Sequence, residues 1–159
     1  MSTSIAFILM IWTGLQAGAQ TAAAVYRGRP LPDYMAGAKS TAPDARAAAL
    51  RAIGQFGKDG IPALPVVTAA LADPVNEVRQ AAAETIALFG PAGAAAVSAL
   101  APLLSDPDAR TRTVAALALR EIGAAAKPAL PQLIHALKDE DLVVRMTAGL
   151  AIGNFGKDA

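Results

Sequence analysis

One histidine and no cysteine set narrow limits on the chemistry this chain can do. Thiol catalysis and histidine-rich metal sites are excluded on residue supply alone. A serine triad would have to recruit His135, and no strained Gly-x-Ser-x-Gly elbow is present to expose a nucleophile. No glycine-rich loop precedes a Lys-Ser or Lys-Thr pair, so no phosphate cradle of the P-loop kind is encoded. No catalytic residue, metal or cofactor is expected. Fourteen Lys and Arg against thirteen Asp and Glu give a formal charge of +1, which removes most of the counterion-release drive for binding nucleic acid. The conspicuous charges are instead three spaced pairs: Asp73 before Arg79, Asp106 before Arg112, and Asp139 before Arg145. His135 reads as a solvated surface histidine, with a pH-sensitive partner contact as the sharper alternative.

The regular spacing of those pairs belongs to the whole chain. Arg46, Arg79, Arg112 and Arg145 recur every 33 residues, as do Gly57, Gly90, Gly123 and Gly156. The same register carries Ala49, Ala82, Ala115 and Ala148, then Ile53, Ile86, Leu119 and Ile152. Self-similarity at this period marks a stack of supersecondary units. The organisation read from it is a half repeat at 30–40, full repeats at 41–73, 74–106 and 107–139, and a trailing half repeat at 140–159.

Each unit reads as two helices. Val78, Ala82, Ile86 and Phe89 follow steps of four, four and three, one face of a 3.6-residue helix. Aspartate before proline at Asp73-Pro74 and Asp106-Pro107 predicts the helix start, with the carboxylate accepting from free N–H groups and proline in the first turn. The recurrent glycines predict a left-handed C-terminal cap. A second helix is expected over about Pro62–Ala72, with Leu64, Val67, Thr68 and Leu71 inward. Its equivalents are Val97, Leu100 and Leu104, then Leu130, Leu133 and Leu137. No strand is expected. Alanine favours helix and close helix contact, and it inflates the hydrophobic fraction of 54%. No apolar run after the first twenty residues approaches the roughly 20 residues that span a bilayer.

The N-terminus obeys a different logic. Ile5 to Leu15 is an apolar run, and Ala17-Gly18-Ala19 before Gln20 is a small-x-small cleavage pattern. Residues 1–19 are therefore expected to be a signal peptide, although no Lys or Arg precedes the run, and 20–29 a flexible lead-in. The expected location is periplasmic or extracellular, with an uncleaved membrane anchor as the alternative. After signal removal no membrane span is expected.

The motif Asp73-Pro74-x-x-Glu77-Val78-Arg79-x-Ala81-Ala82, running on to Phe89-Gly90, and its copies resemble HEAT repeats, in particular the short, alanine-rich variety named after phycobilisome lyases. The resemblance covers about Pro30 to Gly156. It implies an all-α, right-handed α-solenoid of antiparallel helix pairs, with the second helices lining a concave side. It also implies that Asp73, Arg79, Asp106, Arg112, Asp139 and Arg145 form a hydrogen-bonded ladder between units, for which the planar five-donor guanidinium is suited. Ser40 stands at the aspartate position before Arg46, so the ladder is expected to be weaker at that end. The di-iron hydroxylases with HEAT-like repeats depend on His-Glu pairs, and this sequence has none.

A surface then remains as the functional element. On the inner helices the solvent-facing strip includes Val66, Ala69, Ala99, Pro102, Gln132, His135 and Lys138, small and uncharged in its middle. A second candidate lies at the C-terminal end, where Leu142, Val143, Met146 and Leu150 occupy positions that are mostly polar in earlier units. A solenoid end ordinarily carries a polar cap. The expected function is a non-enzymatic protein-interaction scaffold or adaptor, binding a protein partner through either surface, with self-association through the C-terminal end as a variant. The alternative, implied only by the repeat type, is a bilin or tetrapyrrole lyase-like protein or chaperone.

Overall fold

The computed structural model describes residues 24–155. Residues 1–19, read as a signal peptide, lie outside the described residues. So does Gly156, the last of the periodic glycines.

Four long helices form one layer: α2 (Pro43–Gly54), α4 (Asn76–Phe89), α6 (Ala109–Ile122) and α8 (Leu142–Gly153). Each packs on the next in chain order. Four shorter helices form the second layer: α1 (Leu31–Gly37), α3 (Leu64–Ala69), α5 (Val97–Leu100) and α7 (Leu130–Ala136). The periodic apolar residues fill the space between them, with Leu50, Ile53, Val78, Ile86, Leu119 and Val144 fully buried. Alanines at 81, 82, 115, 116 and 148 are also fully buried, and their small side chains let the long helices approach. Each unit thus buries its face on its neighbours.

Local starts and stops differ from the expectation in informative ways. The first helical residue of α4 is Asn76, so Pro74 lies outside the helix. Asp73 accepts from the Val75 N–H at 3.0 Å, Asp106 from Asp108 at 2.9 Å and Asp139 from Asp141 at 2.9 Å. These aspartates turn the chain toward the helix; in α6 and α8 capping falls to the next aspartate, whereas α4 starts after Val75 with no side-chain cap. Asp108 takes the Thr111 N–H at 2.7 Å, and Asp141 takes Val143 and Val144 at 2.8 and 3.2 Å. Gly90 has φ 54° and ψ −132°, and Gly123 φ 73° and ψ −142°. Both have the expected positive φ, but the ψ is extended, a region essentially reserved for glycine rather than the left-handed helical one. The chain therefore turns at once into a 3₁₀ segment.

The second helix of each unit is correspondingly broken. In place of one helix from Pro62 to Ala72 there is a 3₁₀ turn over Gly57–Ala63, the short α3, and a further 3₁₀ turn over Ala70–Ala72. Pro62 and Pro65 lack the N–H that a continuous α-helical ladder requires. The stretch Asn76–Ser105 has the length and mean hydropathy, 1.7, of a membrane span. The turn at Gly90 divides it into two layers of the stack.

Residues 24–30 are not a loose lead-in. Val25–Tyr26 and Arg29–Pro30 pair as a two-stranded antiparallel hairpin, so the expectation of no strand is corrected here. Arg27 at φ 50° and Gly28 at φ 76° supply the two positive dihedrals of its turn. Tyr26, Tyr34 and Phe56 cluster with ring centroids 5.8–6.2 Å apart, and the Tyr34 hydroxyl donates to the Tyr26 carbonyl at 2.8 Å. That aromatic contact anchors the hairpin to α1 and the end of α2.

Candidate interaction surfaces

The arginine–aspartate set runs along the stack as a ladder, with a rule that sequence spacing alone obscured. Arg46, Arg79 and Arg112 each clasp the aspartate 27 residues later. Nε and Nη2 reach Asp73 at 2.8 and 2.9 Å, Asp106 at 2.8 and 3.1 Å, and Asp139 at 2.8 and 2.9 Å. Each Nη1 donates to two backbone carbonyls before its own helix: Ser40 and Thr41, Asp73 and Pro74, Asp106 and Pro107. Hydrogen bonding from Arg46 is the largest cause holding the Asp73 carboxyl below its ordinary pKa, and Arg112 does the same for Asp139.

The expected weakness at Ser40 is not found. Arg46 pairs forward like Arg79 and Arg112, and backward it needs only carbonyls, which serine and aspartate supply equally. The unmatched rung lies at the other end. Arg145 places Nη1 on the carbonyls of Asp139 and Glu140 at 2.7 and 2.9 Å, and among the described residues no carboxylate meets its remaining donors.

Beside the ladder, the middle of the stack carries a buried polar contact. Gln80 donates from Nε2 to Asp108 at 2.8 Å, and Thr111 completes the cluster through its N–H and hydroxyl to the same carboxylate. The Asp108 pKa is lowered, first by the Thr111 backbone bond. Gln80 faces the next long helix, and Met146 occupies its register in α8.

Met146 is 60% exposed, and Leu142, Val143 and Leu150 are exposed to a similar degree. Leu142, Met146 and Leu150 repeat at four-residue steps and form one stripe of α8. Ile134 on α7 and Leu137 just beyond it are exposed too. This corrects the expectation that Leu137 faces inward. Its equivalents Leu71 and Leu104 are buried under the next long helices, whereas among the described residues no helix comes after α8 to complete the enclosure of Leu137. Large exposed apolar side chains among the described residues thus concentrate at this end, with Val25 and Leu88 as outliers.

The inner strip is accessible along its length: Ala69, Pro102, Gln132, His135 and Lys138 are exposed, Val66 and Ala99 half-buried. A shallow groove of about 480 Å³ brings Pro102 and Gln132 together with Val97 and Ala129, and a smaller one of about 330 Å³ gathers His135, Lys138 and Asp139. A third cavity, about 530 Å³ and not evident from sequence, lies between the hairpin and α2, lined by Tyr26, Arg27, Arg29, Tyr34, Arg51 and Gln55. It depends on the hairpin, for which two residues per strand left no readable alternation.

The HEAT-repeat family profile matches residues 31–120 and 97–159, so the chain belongs to the HEAT-repeat family. Among solved structures it is similar to an engineered protein, at TM-score 0.72 and 22% identity, with 79% of this chain covered. This chain spans 62% of the length of that protein. It is also similar to a chain in the complex of CpcE and CpcF of phycocyanin lyase from Nostoc sp. PCC7120, at TM-score 0.65 and 22% identity, covering 76% of this chain and 79% of that one. A designed armadillo repeat protein matches at TM-score 0.66 and 20% identity, over 92% of this chain and 68% of its own. These likenesses show a solenoid of helical repeats. Comparison with curated proteins gave no match.

Proposed function

We propose that this chain is a non-enzymatic interaction scaffold that docks a protein partner at its C-terminal end. The observation that carries this reading is the exposed stripe of Leu142, Met146 and Leu150 with Val143, flanked by Ile134 and Leu137. A contiguous apolar face on an otherwise well-packed solenoid is the kind of surface that marks protein contacts. The small, uncharged inner strip around Ala99 and Pro102 is the secondary surface, suited to an extended peptide. The pattern at residues 1–19 supports export, and the partner is then sought in the cell envelope.

The test is capture from a native envelope fraction with the chain beginning at Gln20, beside a copy carrying Met146→Glu and Leu150→Glu. A partner held by the first and lost by the second supports docking through this end; equal retention by both overturns it. The alternative is a bilin-handling protein. It has a likeness of fold to a phycocyanin lyase structure behind it, at an identity that carries no activity with it. A shifted bilin absorption band on mixing would favour that alternative.

A further inference from the structure

The cavity of about 530 Å³ between the hairpin and α2 has the size of a small-molecule site. Both of its walls are built from described residues. On one side stand Tyr26 and Tyr34, joined by a hydroxyl-to-carbonyl bond of 2.8 Å and each in ring contact with Phe56, which fixes the hairpin against α1. On the other side Ala45, Ala48 and Ala52 of α2 make a floor without a large side chain. The charged lining is one-sided: Arg27, Arg29 and Arg51 against a single carboxylate, Asp33. Ladder arginines spend their donors on the stack; these do not. Arg27 lies 5.4 Å from the centre of the Tyr26 ring, and among the described residues neither Arg27 nor Arg29 forms an ion pair. Arg51 reaches Glu84 through Nε alone, at 3.4 Å, and its side chain stays 48% exposed.

We propose that this cavity binds a small aromatic anion, its flat body on the alanine floor and its carboxylate or phosphate head among the three guanidinium groups. The planar fork of arginine matches either head bidentately. A cleft lined by one sign of charge also concentrates ligands of the opposite sign. The alanine floor adds apolar contact that a bare inorganic anion leaves unused. A neutral aromatic in turn leaves the arginine donors without a partner. Residues 1–23 contain no Asp or Glu, so that part of the chain brings no acidic side chain to the cavity. The site is separate from the stripe of α8 and does not depend on docking there.

The test is calorimetric titration of the full chain with naphthyl phosphate and with naphthoate. Binding of either supports the proposal, and the tighter of the two identifies the head. Inorganic phosphate and neutral naphthol are each expected to bind at least about tenfold more weakly. Arg27→Gln with Arg29→Gln removes two of the three forks, and Ala48→Leu separately fills the floor without touching a charge. Each variant is expected to weaken binding at least about tenfold while thermal melting stays unchanged. Met146→Glu with Leu150→Glu is expected to leave the titration as it was. Binding of neither probe overturns the proposal. So does binding that survives both cavity variants, or an affinity for inorganic phosphate equal to that for naphthyl phosphate. Loss of binding in the Met146→Glu, Leu150→Glu copy puts the probe on α8 and overturns it as well.

Discussion

Arg112 holds the Asp139 carboxylate through two parallel bonds of 2.8 and 2.9 Å while its third nitrogen donates to the Asp106 carbonyl at 2.9 Å. One side chain therefore ties the entry of its own long helix to the entry of the next. Arg112 and Asp139 side chains retain only 8% and 10% exposure, so solvent screens the pair weakly. Arg112→Ala is expected to cost about 3 kcal/mol, within the range for breaking a buried pair. Arg112→Lys is expected to recover less than half of that, since a point charge cannot span both oxygens and a carbonyl. Urea unfolding followed by circular dichroism measures both.

Acid should unfold the stack through the same residues. Asp73 and Asp139 have folded pKa values lowered from 3.8, chiefly by hydrogen bonds from Arg46 and Arg112. A lowered carboxylate contributes stability that is complete above the unfolded pKa and is lost as pH falls through the folded value. The loss therefore lies below about pH 4. Asp73→Asn and Asp139→Asn are expected to lower stability at pH 7 and to flatten its fall on acidification. A pH series of thermal melts checks this, and an unchanged acid limb would count against the assignment.

Two leucines of one type separate core from surface. Leu119 is fully buried between neighbouring units and Leu142 is 58% exposed. Leu119→Ala is expected to cost about 3 kcal/mol through lost transfer energy and a residual cavity. Leu142→Ala is expected to stay within about 0.5 kcal/mol. Chemical denaturation of both variants gives the comparison, and a large loss at Leu142 would mean that the end is already covered.

Gly60 marks a close approach. A Cβ there would lie 2.7 Å from the Ile53 carbonyl and 3.1 Å from the Phe89 ring. Backbone at that distance cannot give way cheaply, so Gly60→Ala is expected to destabilise by about 2 kcal/mol. Thermal melting measures it.

The 33-residue recurrence of arginine, glycine and apolar residues determined the solenoid, its units and its core on its own. Each unit repeats the same local problem, so Val78, Ile86 and Leu119 could be placed inside without knowing any neighbour. The apolar register of Leu142, Met146 and Leu150 was legible for the same reason. Relations between units needed the tertiary structure. Asp73 belongs to Arg46 rather than Arg79, because pairing across the stack is set by helix spacing and not by nearness in sequence. Leu137 is exposed although Leu71 and Leu104 are buried, because burial of an inner leucine depends on the long helix stacked beyond it. The hairpin at 25–30 was hidden because pairs of residues carry no period; its stability comes from the Tyr26, Tyr34 and Phe56 contact, made only once α1 and α2 have packed.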